Sequence, residues 1–147
     1  MSTNITEEII TKPEIIASDD RGVIEKIVGG DNYTTTLRIT SKKGTVRANH
    51  YHQKDSHTCY LAKGQMEYVT REPATDESAP LKKVIINAGE TFYTPPMIAH
   101  AMVFLEDSEF YAFTPRSGDQ AEYENDVIRV ELVSPEAAKQ RAEGYKS

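Results

Sequence analysis

The sequence predicts an all-β fold: a single antiparallel β-barrel of the jelly-roll type with a short C-terminal helix. Three observations carry that prediction. Ten short segments rich in Val, Ile, Thr, Tyr and Phe recur along the 147 residues, the composition that half-buried pleated surfaces favour. Clusters of Gly, Asn, Asp, Ser and Lys separate them at turn spacing. Helix start and stop signals coincide at one place only, near the end. Many short strands evenly interrupted by turns are the signature of closed or double-sheet antiparallel architectures.

The elements follow in order. Residues 1–22 form an N-terminal arm whose apolar positions Ile5, Ile9, Ile10, Ile15 and Ile16 have no evident core partner, with a turn of helix expected around 6–10. A barrel is expected over 23–133. Its strands are 23–28 (VIEKIV), 33–40 (YTTTLRIT), 44–52 (GTVRANHYH), 57–62 (HTCYLA), 65–71 (QMEYVTR), 81–87 (LKKVIIN), 91–94 (TFYT), 99–105 (AHAMVFL), 108–114 (SEFYAFT) and 126–132 (DVIRVEL). Turns fall at GGDN 29–32, SKKG 41–44, AKG 62–64, NAG 87–89 and EDS 106–108. The polar, Pro-bounded stretch 72–80 (EPATDESAP) reads as a hairpin loop. Residues 134–147 hold the helix and tail: Ser134 caps it, Pro135 fits its first turn, Glu136 suits the positive dipole end and Gly144 stops it.

Size and charge exclude several classes. A chain of this length suits one domain with a real core. No apolar run approaches the roughly 20 residues needed to cross a bilayer, and MSTNITEEII lacks the basic-then-apolar pattern of a secretory signal. Cys59 stands alone, so no internal disulfide is available and a cytoplasmic setting is expected. A formal charge of −6 argues against a nucleic-acid partner, which needs an excess of Lys and Arg. An anionic sugar phosphate would need locally placed cations. The unpartnered arm predicts a homodimer in which it crosses to its neighbour.

All four histidines fall in two short segments. His50 and His52 alternate on one strand, so their rings share a face. A turn over Gln53 to Ser56 lets a returning strand present His57 beside them, and His100 follows in the second segment. Imidazole is the commonest metal-ligating side chain. The expectation is a shell of His50, His52, His57 and His100 around one divalent transition metal (Zn, Fe, Ni, Mn or Cu), because nitrogen ligands do not suit Mg or Ca. On the same parity Cys59 faces inward with His57. Arg47 lies opposite His50 if the strand is regular. Tyr68 is a candidate catalytic phenol beside His50 and His52, with Tyr93, Tyr111, Glu67 and Glu90 as weaker ones.

The two segments resemble the paired motifs of the cupin superfamily, G-x5-H-x-H-x3,4-E-x6-G and G-x5-P-x-G-x2-H-x3-N. Gly44, His50, His52 and Gly64 match the first; Gly89, Pro95 and His100 match the second. His57 stands where the glutamate is usual, Met97 where a glycine is, and Phe104 where an asparagine is. The resemblance implies a small barrel with a metal site inside one end. The His57 change leaves a divalent ion less neutralised and a stronger Lewis acid. Pro95 and Pro96 fix the turn that Met97 completes without glycine, and Phe104 gives the pocket an apolar floor.

A second resemblance is local. DDRGVIE at 19–25 is similar to a segment that opens many nucleotide-sugar epimerases and keto-isomerases of the same superfamily, and YENDVIRVEL at 123–132 is similar to their tail. That likeness implies His50 or His52 as a general base beside a sugar carbonyl, with no metal required. The leading expectation is a metal-dependent isomerase, lyase, hydrolase or dioxygenase acting on a small polyoxygenated substrate. The alternatives are the metal-free sugar-nucleotide enzyme and a non-catalytic small-ligand-binding cupin.

Overall fold

The computed structural model describes residues 10–28, 35–114 and 124–144. The arm positions Ile5 and Ile9, most of the helical turn expected at 6–10, the turn at 29–32 and Tyr123 lie outside them. Twelve strands and one helix are described: β1 (Ile10–Thr11), β2 (Glu14–Asp19), β3 (Gly22–Lys26), β4 (Thr35–Ser41), β5 (Val46–His52), β6 (His57–Lys63), β7 (Gln65–Arg71), β8 (Lys82–Asn87), β9 (Thr91–Thr94), β10 (Ala99–Phe104), β11 (Ser108–Thr114), β12 (Val127–Arg129) and α1 (Pro135–Gly144). Two antiparallel five-stranded sheets, ordered β1-β9-β6-β11-β4 and β12-β5-β10-β7-β8, enclose the core; β2 and β3 form a separate hairpin. Among the described residues no helix is long and apolar enough to cross a membrane.

Strand alternation explains the filling. Cys59, Leu61, Met66, Tyr68, Ile86, Phe92, Met102, Phe104, Phe110 and Ala112 make the inner cluster. A second cluster of Val69, Ala101, Val103, Leu105, Val133 and Ala138 lies on the other face of the β7–β10 sheet. Helix α1 covers that face, with Ala138 and Ala142 buried one turn apart. This is why β10 reads as a continuous apolar run: both of its faces are covered, as in strands buried on two sides. Ser134 caps the helix as expected, its Oγ accepting from Ala137 N at 3.1 Å. Arg141 donates to Glu67 Oε1 at 2.6 Å and ties α1 to β7.

Three sequence expectations change. The strand at 23–28 does not join the barrel; it pairs with β2, and every residue of that hairpin is exposed. Instead Ile10 and Thr11 of the arm add the edge strand β1 beside β9. The strand expected at 126–132 is ordered as β12 only over Val127–Arg129.

The third change concerns β5, which is not regular. Ala48 and Asn49 have φ of 70° and 53°, and the register against β10 slips between His100↔His50 and Ala101↔Ala48. An extra residue in one strand is a β-bulge. Asn49 is left out of the pairing and turns to the C-terminal segment: its Oδ1 accepts from Leu132 N and Val133 N, and its Nδ2 donates to Val133 O. The parity argument for Arg47 therefore fails. Arg47 pairs in register with Met102 and donates to Ser41 Oγ and Thr40 O, far along the strand from the histidines.

Candidate functional site

The histidines gather at one end of the barrel, each at a strand terminus: His50 and His52 close β5, His57 opens β6 and His100 opens β10. Register alone brings two of them together, since His50 and His100 are direct cross-strand partners. Ring centroids lie 4.9 Å apart for His50–His52, 4.8 Å for His50–His100 and 4.6 Å for His52–His57. His50, His52 and His100 are buried, and His57 is half-buried. Thr94 and Thr70 stand at the same end, Thr70 opposite His100. Phe104 and Met102 lie in the apolar cluster below, which supplies the expected floor.

Burial fixes the protonation of two rings. Desolvation, reinforced by neighbouring imidazoles, pushes the His50 pKa down to about 2. Desolvation also outweighs the bond from His100 Nδ1–H to Ile98 O (3.0 Å) and holds His100 at about 3. Both rings are neutral at pH 7.

His52 differs because it has a carboxylate partner. Its Nδ1 lies 3.1 Å from Asp126 Oδ2, and both residues are buried. Burial opposes the charge on Asp126, but the N–H groups of Lys54 (2.8 Å) and Asp55 (3.2 Å), together with the His52 ring, hold its pKa below the usual carboxylate value. An ionised carboxylate only accepts, so His52 Nδ1 carries the proton and Nε2 keeps a lone pair. The turn 53–55 wraps this carboxylate, and Gln53 N also bonds Asp126 O.

Neither Asp126 nor Asp55 was picked out as a site residue by sequence reasoning. Asp126 lies inside the quoted YEND stretch, but only the pairing of Val127 with His52 brings it to the ring. Asp55 lies in the turn between β5 and β6. Its Oδ2 is 3.2 Å from His57 Nε2.

The other candidates are occupied elsewhere. The Tyr68 hydroxyl is fully buried against Thr94 Oγ1 at 2.6 Å, and burial pushes its pKa up; its ring lies 6.0 Å from that of His100. Burial pushes the Cys59 thiol up to about 12, so it is not a thiolate at neutral pH. Glu67 is held by Arg141, and Glu90 accepts from Asn87 N. Tyr93 is exposed, and the Tyr111 hydroxyl bonds Glu109.

The four imidazoles do not form the single shell that the spacing predicts. Nitrogens of His50, His52 and His100 lie within 4.8 Å of one another, whereas His57 groups with His52 and Asp55. One ion would have to be shared between two sets meeting at His52.

Comparison with known proteins bears on the same point. No protein-family profile matches the chain, and no curated protein is similar to it in sequence. Solved structures do match. They include dTDP-4-dehydrorhamnose 3,5-epimerase from Sulfolobus tokodaii (20% identity over 84% of this chain and 76% of that one, TM-score 0.66). A dTDP-6-deoxy-D-glucose-3,5-epimerase, RmlC, from Legionella pneumophila in complex with dTDP-4-keto-L-rhamnose matches at 18% identity, 88% and 75% coverage and TM-score 0.66. The sugar 3,4-ketoisomerase QdtA from Thermoanaerobacterium thermosaccharolyticum in complex with TDP matches at 20%, 91% and 93%, and 0.63. The barrel is thus an RmlC-like cupin fold. These comparisons overturn the expected resident divalent metal, Zn, Fe, Ni, Mn or Cu: the RmlC-type epimerases that share the fold need none.

Proposed function

We propose that this chain is a metal-independent enzyme that moves protons beside the keto group of a nucleotide-linked sugar, with His52 as general base. The observation that carries this reading is the buried His52–Asp126 pair. The carboxylate fixes one tautomer, aims the free Nε2 lone pair and stabilises the imidazolium once a proton is taken, which is the logic of a histidine base backed by an aspartate. His50 and His100, both neutral, stand beside His52 as hydrogen-bonding groups that add no charge.

An anionic substrate needs cations, and the register supplies them. Arg129, His50, His100, Thr70 and Lys82 form one cross-strand row through β12, β5, β10, β7 and β8. Direct partners share a face, so Lys82 and Arg129 flank the histidines, Arg129 being paired with Glu124 at 3.1 Å. The ligands bound by the structural neighbours, TDP and dTDP-sugars, support this class of substrate.

TDP-4-keto-6-deoxyglucose, the ligand of one neighbour, is the substrate to test. With it, wild-type protein is expected to form an epimerised or keto-shifted sugar. His52→Asn and Asp126→Asn should each lower kcat by ~10²–10⁴, the usual worth of a positioned base. Thermal stabilisation by this compound with no product from the wild type would instead identify a binding protein. The reading extends to a homodimer, supported by the wholly exposed β2–β3 hairpin.

A further inference from the structure

We infer that His57 is a second proton carrier, positioned by Asp55, and that with His52 it fits the site for shifting a carbonyl between adjacent carbons. This rests on His52 being the base. The two rings are placed alike but held differently: His52 Nδ1 is hydrogen-bonded to a buried carboxylate, Asp126, whereas His57 Nε2 lies 3.2 Å from another, Asp55, as an ion-pair contact outside hydrogen-bond geometry. Asp55 is itself fixed, its N–H on Asp126 and its Oδ1 accepting from Ser56 N. The negative charge of Asp55 beside Nε2 favours the Nε2–H tautomer, which leaves the lone pair on Nδ1 of His57. Of the two side chains His57 is the more open, at 17% against 3% for His52, and is therefore the better able to meet a substrate.

The distance between them selects the reaction. The rings lie 4.6 Å apart and within 28° of parallel, so they reach protons on neighbouring atoms of one substrate face. Inverting a carbon requires removal on one face and delivery on the other. Shifting a carbonyl requires one C–H proton and one O–H proton to move between adjacent centres.

His52 Nε2 takes the proton of the C–H beside the keto group. That bond's electron pair becomes the C=C of an enediolate, and the carbonyl π pair moves to oxygen. His57 Nδ1 takes the proton of the neighbouring hydroxyl and delivers it to that oxygen. The second oxygen's pair then forms the new C=O, and the C=C pair takes the proton back from His52 at the former carbonyl carbon. Both rings end as they began, and no co-reactant is consumed.

The test follows TDP-4-keto-6-deoxyglucose in D2O by NMR, with wild type, His57→Gln, His57→Asn, Asp55→Asn and Asp55→Glu. Wild type should incorporate carbon-bound deuterium and form the keto-shifted isomer. Both His57 variants should keep deuterium incorporation within about tenfold while isomer formation falls at least ~100-fold. Asp55→Asn should lower kcat with KM unchanged, and Asp55→Glu should restore part of it. Isomer formation at the wild-type rate in both His57 variants overturns the inference. So does an inverted product, or loss of deuterium incorporation in variants that melt as the wild type does. If wild type itself incorporates no deuterium, the base assignment of His52 fails first, and this inference with it.

Discussion

At the scale of single residues, the barrel end is organised by which imidazoles have a carboxylate and which do not. His52 and His57 each face an aspartate; desolvation lowers the pKa of His57 in spite of Asp55, and holds His50 and His100 neutral. The neutral pair makes stability depend on pH in a defined direction. Their folded-state pKa values, about 2 and about 3, lie below the ordinary value near 6.5. Between those limits the unfolded chain binds protons that the folded chain refuses, so stability rises with pH across that window and is complete above it. Acidification from pH 6 to 4 should cost each ring about 1.4 kcal/mol per pH unit. Urea titrations should find this slope in wild type and a shallower one in His100→Gln. A flat profile would mean that these rings are protonated in the folded state. The histidines were legible in sequence because their spacing is a strand period; Asp55 and Asp126 were not, because their partners are chosen by turn geometry and inter-strand register.

At the scale of elements, left-handed residues close a turn at each end of the barrel, one beside the site and one opposite it. Met97 takes φ 66° where the related motif carries glycine, and its N–H donates to His52 O at 2.8 Å, fastening the β9–β10 turn to the end of β5. Sequence reasoning foresaw a turn that manages without glycine; the turn in fact keeps a glycine conformation and bears the strain. Gly64, between β6 and β7, has φ +94°, and a Cβ there would stand 2.1 Å from Ser108 Oγ and 2.7 Å from the Asp107 carbonyl oxygen. Gly64→Ala should therefore cost about 2–4 kcal/mol, combining left-handed strain with overpacking, whereas Met97→Gly should not destabilise. Thermal melts of the two variants check this, and equal Tm values for Gly64→Ala and wild type would contradict it. Strand positions were readable from alternation. The bulge at Ala48 and Asn49 was not, since it goes with the C-terminal segment docking on Asn49, a contact 83 to 84 residues away in the chain.

At the scale of the whole molecule, the β2–β3 hairpin has no place in either sheet. Ile15, Ile16, Val23 and Ile24 are 54–60% exposed, and an isolated two-stranded hairpin is marginal in water. A second copy covering it accounts for both. Sedimentation at micromolar concentration should give a dimer for wild type and a monomer for Ile15→Ser with Ile24→Ser; a monomeric wild type would contradict this. The fold was legible because ten short strands with clear turns admit few architectures. The chemistry was less so, since the same histidine spacing serves a metal shell or a proton relay, and a carboxylate behind a ring serves either.

The central claim is that His52, backed by Asp126, abstracts a proton without a metal. Its most direct test is deuterium incorporation beside the keto group of TDP-4-keto-6-deoxyglucose, using protein stripped with a chelator. Incorporation at the untreated rate in wild type, lost in His52→Asn, is the predicted result. Incorporation that vanishes on stripping and returns with added metal, or that survives in His52→Asn, would contradict the account.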